Sequence, residues 1–143
     1  MIDPNEVDRA VIGVLAADAT LAGLLPGGVY WDLAPIGTTA FAVVGLSTSR
    51  GLAELNDGTT ARTFVYLVKA VARGTSSSPT AAADARIQAL LDHGSLTLSA
   101  AAGCSLMVMR WIDRVRYTES TTASEIWQHR GGRYEVTVTP TSS

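Results

Sequence analysis

The sequence predicts an α+β protein: two main helices packed on one face of a mainly antiparallel β-sheet, in the order α-β-β-β-α-β-β-β. Three observations predict it. Residues 62–73 place Phe64, Tyr66, Val68 and Ala70 on one side of an extended chain and Val65, Leu67 and Val71 on the other. A strand apolar on both faces belongs near the middle of a sheet, covered on at least one side. After the polar stretch 74–80, Ala83, Ile87, Leu90 and Leu91 recur at helical spacing and supply the cover. Finally, Tyr134, Val136 and Val138 alternate with Arg133, Glu135, Thr137 and Thr139, the pattern of a strand with one wet face.

Each element has its own signals. Asp3-Pro4-Asn5-Glu6 opens a helix, with Asp3 as cap, Pro4 in the first turn and Glu6 closing a capping box. Val7, Val11, Val14 and Leu15 follow helical spacing. Asp18 caps a short continuation carrying Leu21, Leu24 and Leu25, and Pro26-Gly27-Gly28 ends it. Residues 29–35 form a short extended segment closed by Pro35-Ile36-Gly37, and 41–46 form a second buried strand. Residues 47–61 are small and polar, with Asn56-Asp57-Gly58 as a turn signal, and are expected to be a long loop. The covering helix, 81–91, has Ser78 as cap, Pro79 in its first turn, His93 in its last turn and Gly94 as stop. Leu96-Thr97-Leu98 is expected to be a short strand and 100–103 a link. In the long strand 106–117, Met107, Met109, Trp111, Val115 and Tyr117 should share one side, and Arg110, Ile112, Arg114 and Arg116 the other. Residues 126–129 lead through Arg130-Gly131-Gly132 into the last strand, 133–139, and 140–143 are expected to be a mobile tail.

At 143 residues the chain is expected to be one domain, 1–143, burying roughly two-thirds of its unfolded surface. Its net charge of −2 argues against an electrostatic grip on nucleic acid. Charged residues make up only 17%, so part of the surface is expected to be covered by a partner or by further copies. One cysteine, Cys104, excludes an internal disulfide, and its apolar neighbours suit a buried thiol. No apolar run reaches the ~20 residues of a membrane span. Without a signal-type N-terminus, synthesis in a cytoplasm is expected.

Two histidines, His93 and His129, bound the options for general-base chemistry. His93 fits a helix end, where an imidazole complements the carbonyl dipole. His129 fits a loop or interface role, with a base partnered by Asp32 or Asp113 as the enzymatic reading. No metal-ligand spacing, nucleophile elbow or phosphate loop is present, and no cofactor is implied. Arg110, Arg114, Arg116, Arg130 and Arg133 are five of the eleven basic residues and lie among Trp111, Tyr117 and Trp127. Such interleaving suits a nucleic-acid backbone. However, Asp113, Glu119, Glu125 and Glu135 are interspersed, so cross-strand ion pairs on a solvated or subunit-facing surface account for it better. Tyr30, Trp31 and Trp127 read as core or subunit contacts.

The ordered set of segments resembles the tail-completion or tail-terminator proteins of tailed phages. The resemblance rests on Leu15-Ala16-Ala17-Asp18-Ala19-Thr20-Leu21, Gly28-Val29-Tyr30-Trp31-Asp32-Leu33-Ala34-Pro35 and Phe64-Val65-Tyr66-Leu67-Val68. It continues through the helix with Ala85, Ile87, Leu90 and Leu91, then Val115-Arg116-Tyr117-Thr118-Glu119 and Ile126-Trp127-Gln128-His129-Arg130-Gly131-Gly132-Arg133. Phe41-Ala42-Val43-Val44 departs from it, since members often carry a proline before that strand. The resemblance implies a virion protein assembled in the host cytoplasm, forming a ring of six copies at the head-proximal end of the tail. The ring's partners would be itself, the tail tube protein and the head–tail connector or head completion protein. DNA would only pass through its lumen, and no membrane would be involved. Tyr30, Trp31, Arg110, Arg114, Arg116, Trp127, His129, Arg130 and Arg133 are the expected interface residues.

Overall fold

The computed structural model describes residues 2–53, 60–122 and 125–141. Its elements are α1 (Pro4–Ala16), α2 (Ala19–Leu24), β1 (Val29–Trp31), β2 (Ala40–Ala53), β3 (Thr60–Arg73), α3 (Ser78–Leu91), a 3₁₀ turn (Ala100–Ala102), β4 (Cys104–Thr122) and β5 (Glu125–Pro140). The sheet order is β1-β2-β3-β5-β4, with β1 parallel to β2 and every other pair antiparallel. The helices lie on one face, so the predicted α+β class holds. Among the described residues no helix is long and apolar enough to cross a membrane.

The helix starts follow from local chemistry. Asp3 accepts from the Asn5 amide at 3.0 Å, with Pro4 in the first turn. Glu6 does not close a capping box; its oxygens accept from Arg9 and Ser99 instead. Asp18 accepts from the Leu21 amide at 2.9 Å and takes both Arg86 Nε at 2.9 Å and a terminal nitrogen at 2.6 Å. One carboxylate therefore caps α2 and ties it to α3. Arg86 and the Leu21 amide hold its pKa down at about 2. For α3 the cap is Ser77 rather than Ser78, and no side chain caps it. At its other end His93, not Gly94, takes the left-handed conformation (φ 57°) and donates its amide to the Met109 carbonyl at 2.7 Å. Gly94 is needed for a different reason: a Cβ there would stand 1.9 Å from the Leu90 carbonyl oxygen. Asp92 accepts from the Trp111 amide at 3.0 Å, fastening this corner to β4.

β3 is the middle strand, as its two apolar faces predict. Phe64, Tyr66, Val68 and Ala70 are fully buried under Val7, Val11 and Leu15 of α1 and Ala83, Ile87 and Leu91 of α3. Tyr134, Val136 and Val138 of β5 extend that surface. Each fully buried Val, Leu or Phe of this layer contributes about 1.5–3 kcal/mol. Within it the Tyr66 hydroxyl donates to Asp8 of α1 at 2.6 Å, satisfying the one polar atom the tyrosine carries into the core. Cys104 is buried as predicted, and burial pushes its thiol pKa up.

Four expectations change. Much of the loop expected over 47–61 is strand: β2 runs to Ala53 and pairs with β3 from Thr60. The sequence there is mostly small and polar, so it carries no period-two signal, and β3 supplies the backbone partners. The Asn56-Asp57-Gly58 turn lies outside the described residues. Residues 96–98 form no strand; Leu96 and Leu98 pack on the core from an irregular segment. Residues 126–132 belong to β5, which runs unbroken from Glu125 and includes Pro140, paired with Cys104. Of the tail, Pro140 is thus strand and 142–143 lie outside the described residues.

The fourth change concerns β4. Its register against β5 shifts at Leu106/Val108, Trp111/Asp113 and Ser120/Thr122, and each bulge reverses which side chains face the helices. Met107 is 60% exposed while Met109 is buried at 1%. The predicted sides of this strand are therefore wrong beyond Trp111. Arg114 and Arg116 come round to the helix-bearing face, and Val115 and Tyr117 go to the other. Gly131 and Gly132 sit opposite the second bulge, where a Cβ on Gly132 would stand 2.7 Å from the Asp113 carbonyl oxygen and 2.9 Å from Trp111 Nε1. One on Gly131 would meet the Val68 carbonyl oxygen at 2.0 Å. Strand glycines of this kind mark close backbone approach.

Gly132→Ala should therefore destabilise the protein by about 1–3 kcal/mol in urea unfolding, the cost of overpacking. Gly13→Ala, on α1 with nothing within 4 Å of the added methyl, should stabilise it by roughly 0.5–1 kcal/mol.

Candidate functional site

The candidate site lies on the face of the sheet away from the helices. Phe41 and Val43 of β2, Lys69 and Val71 of β3, and Trp127 and His129 of β5 line one side of a groove of about 400 Å³. The segment from Asp32 to Thr38 forms the other side. Asp32 takes a left-handed conformation (φ 63°), its amide donates to Val44 at 2.8 Å, and the Leu33 amide turns back onto Trp31 at 2.7 Å. Asparagine and aspartate tolerate that backbone better than most residues. Thr38 then closes the excursion by donating its hydroxyl to the Pro35 carbonyl at 2.8 Å. The result is a strap that holds Leu33 82% exposed and Ile36 fully exposed.

At the far end of the groove, neighbouring strands assemble a polar cluster. His129 is Tyr117's partner in the β4–β5 register, and the two rings stack 4.2 Å apart at 13°. His129 Nε2 lies 3.0 Å from Glu119 Oε1, and the Tyr117 hydroxyl accepts from Lys69 Nζ at 2.7 Å. His129 is buried, its Nδ1 without a hydrogen-bonding partner. Burial lowers its pKa; Glu119 opposes that shift and Lys69 adds to it. The imidazole is thus packed in place, with burial disfavouring its charged form. Its carboxylate is Glu119, not Asp32 or Asp113; Asp113 is occupied by Arg133. The described residues contain no group of three or more His, Cys, Asp or Glu able to hold a metal ion.

The arginines divide between the two faces. On the open face Arg110 pairs with Glu135 (2.9 and 3.0 Å) and Arg133 pairs bidentately with Asp113, the cross-strand ion pairs the acidic spacing predicts. Arg114, Arg116 and Arg130 lie on the helix-bearing face of the β4–β5 hairpin. Trp31 packs edge-on against Tyr66 at 6.0 Å and Trp127 against Phe41 at 6.2 Å, while Tyr30 turns its hydroxyl onto the Gly27 carbonyl at 2.5 Å. Trp127 and His129 therefore share the groove; Trp31 is tied to the core. Sequence reading missed Leu33, Ile36, Lys69, Tyr117 and Glu119 as parts of one surface. The available signal was Ile36, an apolar residue between Pro35 and Gly37 in a turn.

The α+β fold thus builds one face of its sheet into the core and leaves the other grooved and partly apolar. No family model and no curated protein matches the sequence. Among solved structures, a chain of the "Virion of native gene transfer agent (GTA) particle" is similar in fold, with a TM-score of 0.71 at 18% identity, over 95% of this chain and 96% of that one.

Because the His129 pKa is lowered on folding, the unfolded chain binds the proton more readily. Stability is then full above the ordinary value of 6.5 and is lost as pH falls through the lower folded value. Replacing His129 with Gln should flatten the pH dependence of the unfolding midpoint below about pH 6.5, measured by urea titration at stepped pH.

Proposed function

We propose that the chain is a structural protein of a phage-like particle, a tail terminator of the head–tail joining region. In this reading residues 1–143 act as one tail-terminator-like domain. Copies close into a ring, a hexamer, that caps the tail tube at its head-proximal end, stops its polymerisation and presents a surface to the head–tail connector. Assembly takes place in the host cytoplasm. The observation that carries this is the end-to-end likeness of fold to a chain of a virion particle, joined to the resemblance of the ordered segments to tail-completion proteins. The open face adds physical support. Leu33 and Ile36 are held out to solvent by a strap with its own hydrogen bonds, and exposed apolar side chains beside a groove suit a protein partner. The work is done by shape and contact, with no reaction required of His129.

Particles assembled without the chain decide the matter. Electron micrographs should show tails of uncontrolled length or heads without tails; tails of normal length would overturn the reading. Leu33→Ser with Ile36→Ser should leave the unfolding free energy within about 0.5 kcal/mol of wild type. The same variant should reduce the yield of joined particles, counted in micrographs.

A further inference from the structure

Two separate patches carry opposite charge that no ion pair among the described residues neutralises. Arg116 and Arg130 are direct partners across β4 and β5, so their side chains leave the same face, and Arg114 shares it two residues along. Like charges directly opposite destabilise a strand pair. Arg86, Arg110 and Arg133 each have a carboxylate, whereas Arg114, Arg116 and Arg130 form no ion pair among the described residues. Asp84 of α3 is placed to act electrostatically on Arg130 and Arg114. Arg130 Nε is buried with no acceptor.

A second group, Asp3, Asp8 and Asp32, stands before α1, on α1 and after β1; the Asp3 amide meets Ala102 ahead of β4, Asp8 lies over β3, and Asp32 alone is at the β1 edge. Asp3 and Asp32 both act on Asp8, and among the described residues none of the three meets a cation. Asp3 accepts only from the Asn5 amide and Asp8 from the Tyr66 hydroxyl. β4 and β1 are the two edge strands of the sheet.

We infer that Arg114, Arg116 and Arg130 of one copy dock against Asp3, Asp8 and Asp32 of the next. The inference rests on the proposed ring and says which surfaces meet in it. Unlike patches at separate places on one subunit generate a head-to-tail contact, which closes into a ring when the rotation per subunit allows. Complementary charge steers and registers such a contact. A second copy fits better than nucleic acid. Three guanidiniums face three carboxylates of the same chain, whereas a dedicated DNA binder makes roughly 6–10 phosphate contacts.

Light scattering of the purified full chain tests this. At about 0.05 M salt the mass should be a multiple of the monomer, and it should fall toward one chain at about 0.5 M as the charges are screened. Arg114→Glu with Arg116→Glu should give monomers at low salt, and so should Asp3→Lys with Asp32→Lys. A one-to-one mixture of the two variants should reassemble, because each then offers the patch the other needs. Asp32→Asn keeps a residue that tolerates the left-handed backbone; it should weaken assembly if the lysine variant fails to fold. A mass indifferent to salt and to both reversals would overturn the assignment of these patches and leave the proposed ring standing. A wild-type chain monomeric at every salt would also overturn it. So would loss of duplex DNA retention in the arginine variant with its mass unchanged, which would assign the patch to phosphates. Tail length in particles lacking the chain reports on the collar separately.

Discussion

A strand bonded along both of its edges cannot shift without breaking two ladders, and β3 is in that position. It pairs with β2 from Thr60 to Ala72 and with β5 from Arg62 to Arg73. Its side chains are therefore fixed with one set under the helices and the other on the open face. A slip of one residue would carry Phe64, Tyr66 and Val68 out of the core and Thr63, Val65 and Leu67 into it. The helices add to this lock through particular contacts: Asp8 holds the Tyr66 hydroxyl, and Asp18 joins α2 to α3 through Arg86. The groove, the strap and the arginine patch all take their positions from that fixed register.

The parts of the fold legible in the sequence are those where one interaction leaves one pattern. Asp3 and Asp18 cap helices because a short carboxylate before a helical run has few better uses. Ala83, Ile87 and Leu91 lie on the buried side of α3 because a helix with one apolar stripe has one way to face a sheet. Legibility fails where the backbone rather than the side chains decides. The extension of β2 to Ala53 is held by pairing with β3 and leaves no apolar alternation. In β4 the bulges invert the pattern midway, so strict counting from Met107 placed Tyr117 with Trp111 and Arg116 with Arg110, when the true pairs of faces are the reverse. His129 meets Glu119 because the hairpin register brings them together. Asp32 and Asp113, the carboxylates first considered, are set elsewhere by a left-handed turn and by Arg133.

The same bulge explains why the arginine cluster is really two groups. Before it, Arg110 projects to the open face and finds Glu135; after it, Arg114 and Arg116 project toward α3 and gather around Arg130. Arg133, on the alternate phase of β5, goes with the first group and takes Asp113. Five residues that look like one basic tract along the sequence thus become two neutralised pairs and one concentrated positive corner. Charge composition alone, at −2 for the whole chain, conceals that separation.

β4 is a nineteen-residue strand at the rim of the sheet. A straight, plain strand of that length would template indefinite fibre growth. Here three register breaks interrupt its outward-facing amides and carbonyls, and guanidiniums project beside them. Both are devices that keep sheet rims from recruiting strangers. Both features work against growth of a fibre through the backbone of this rim.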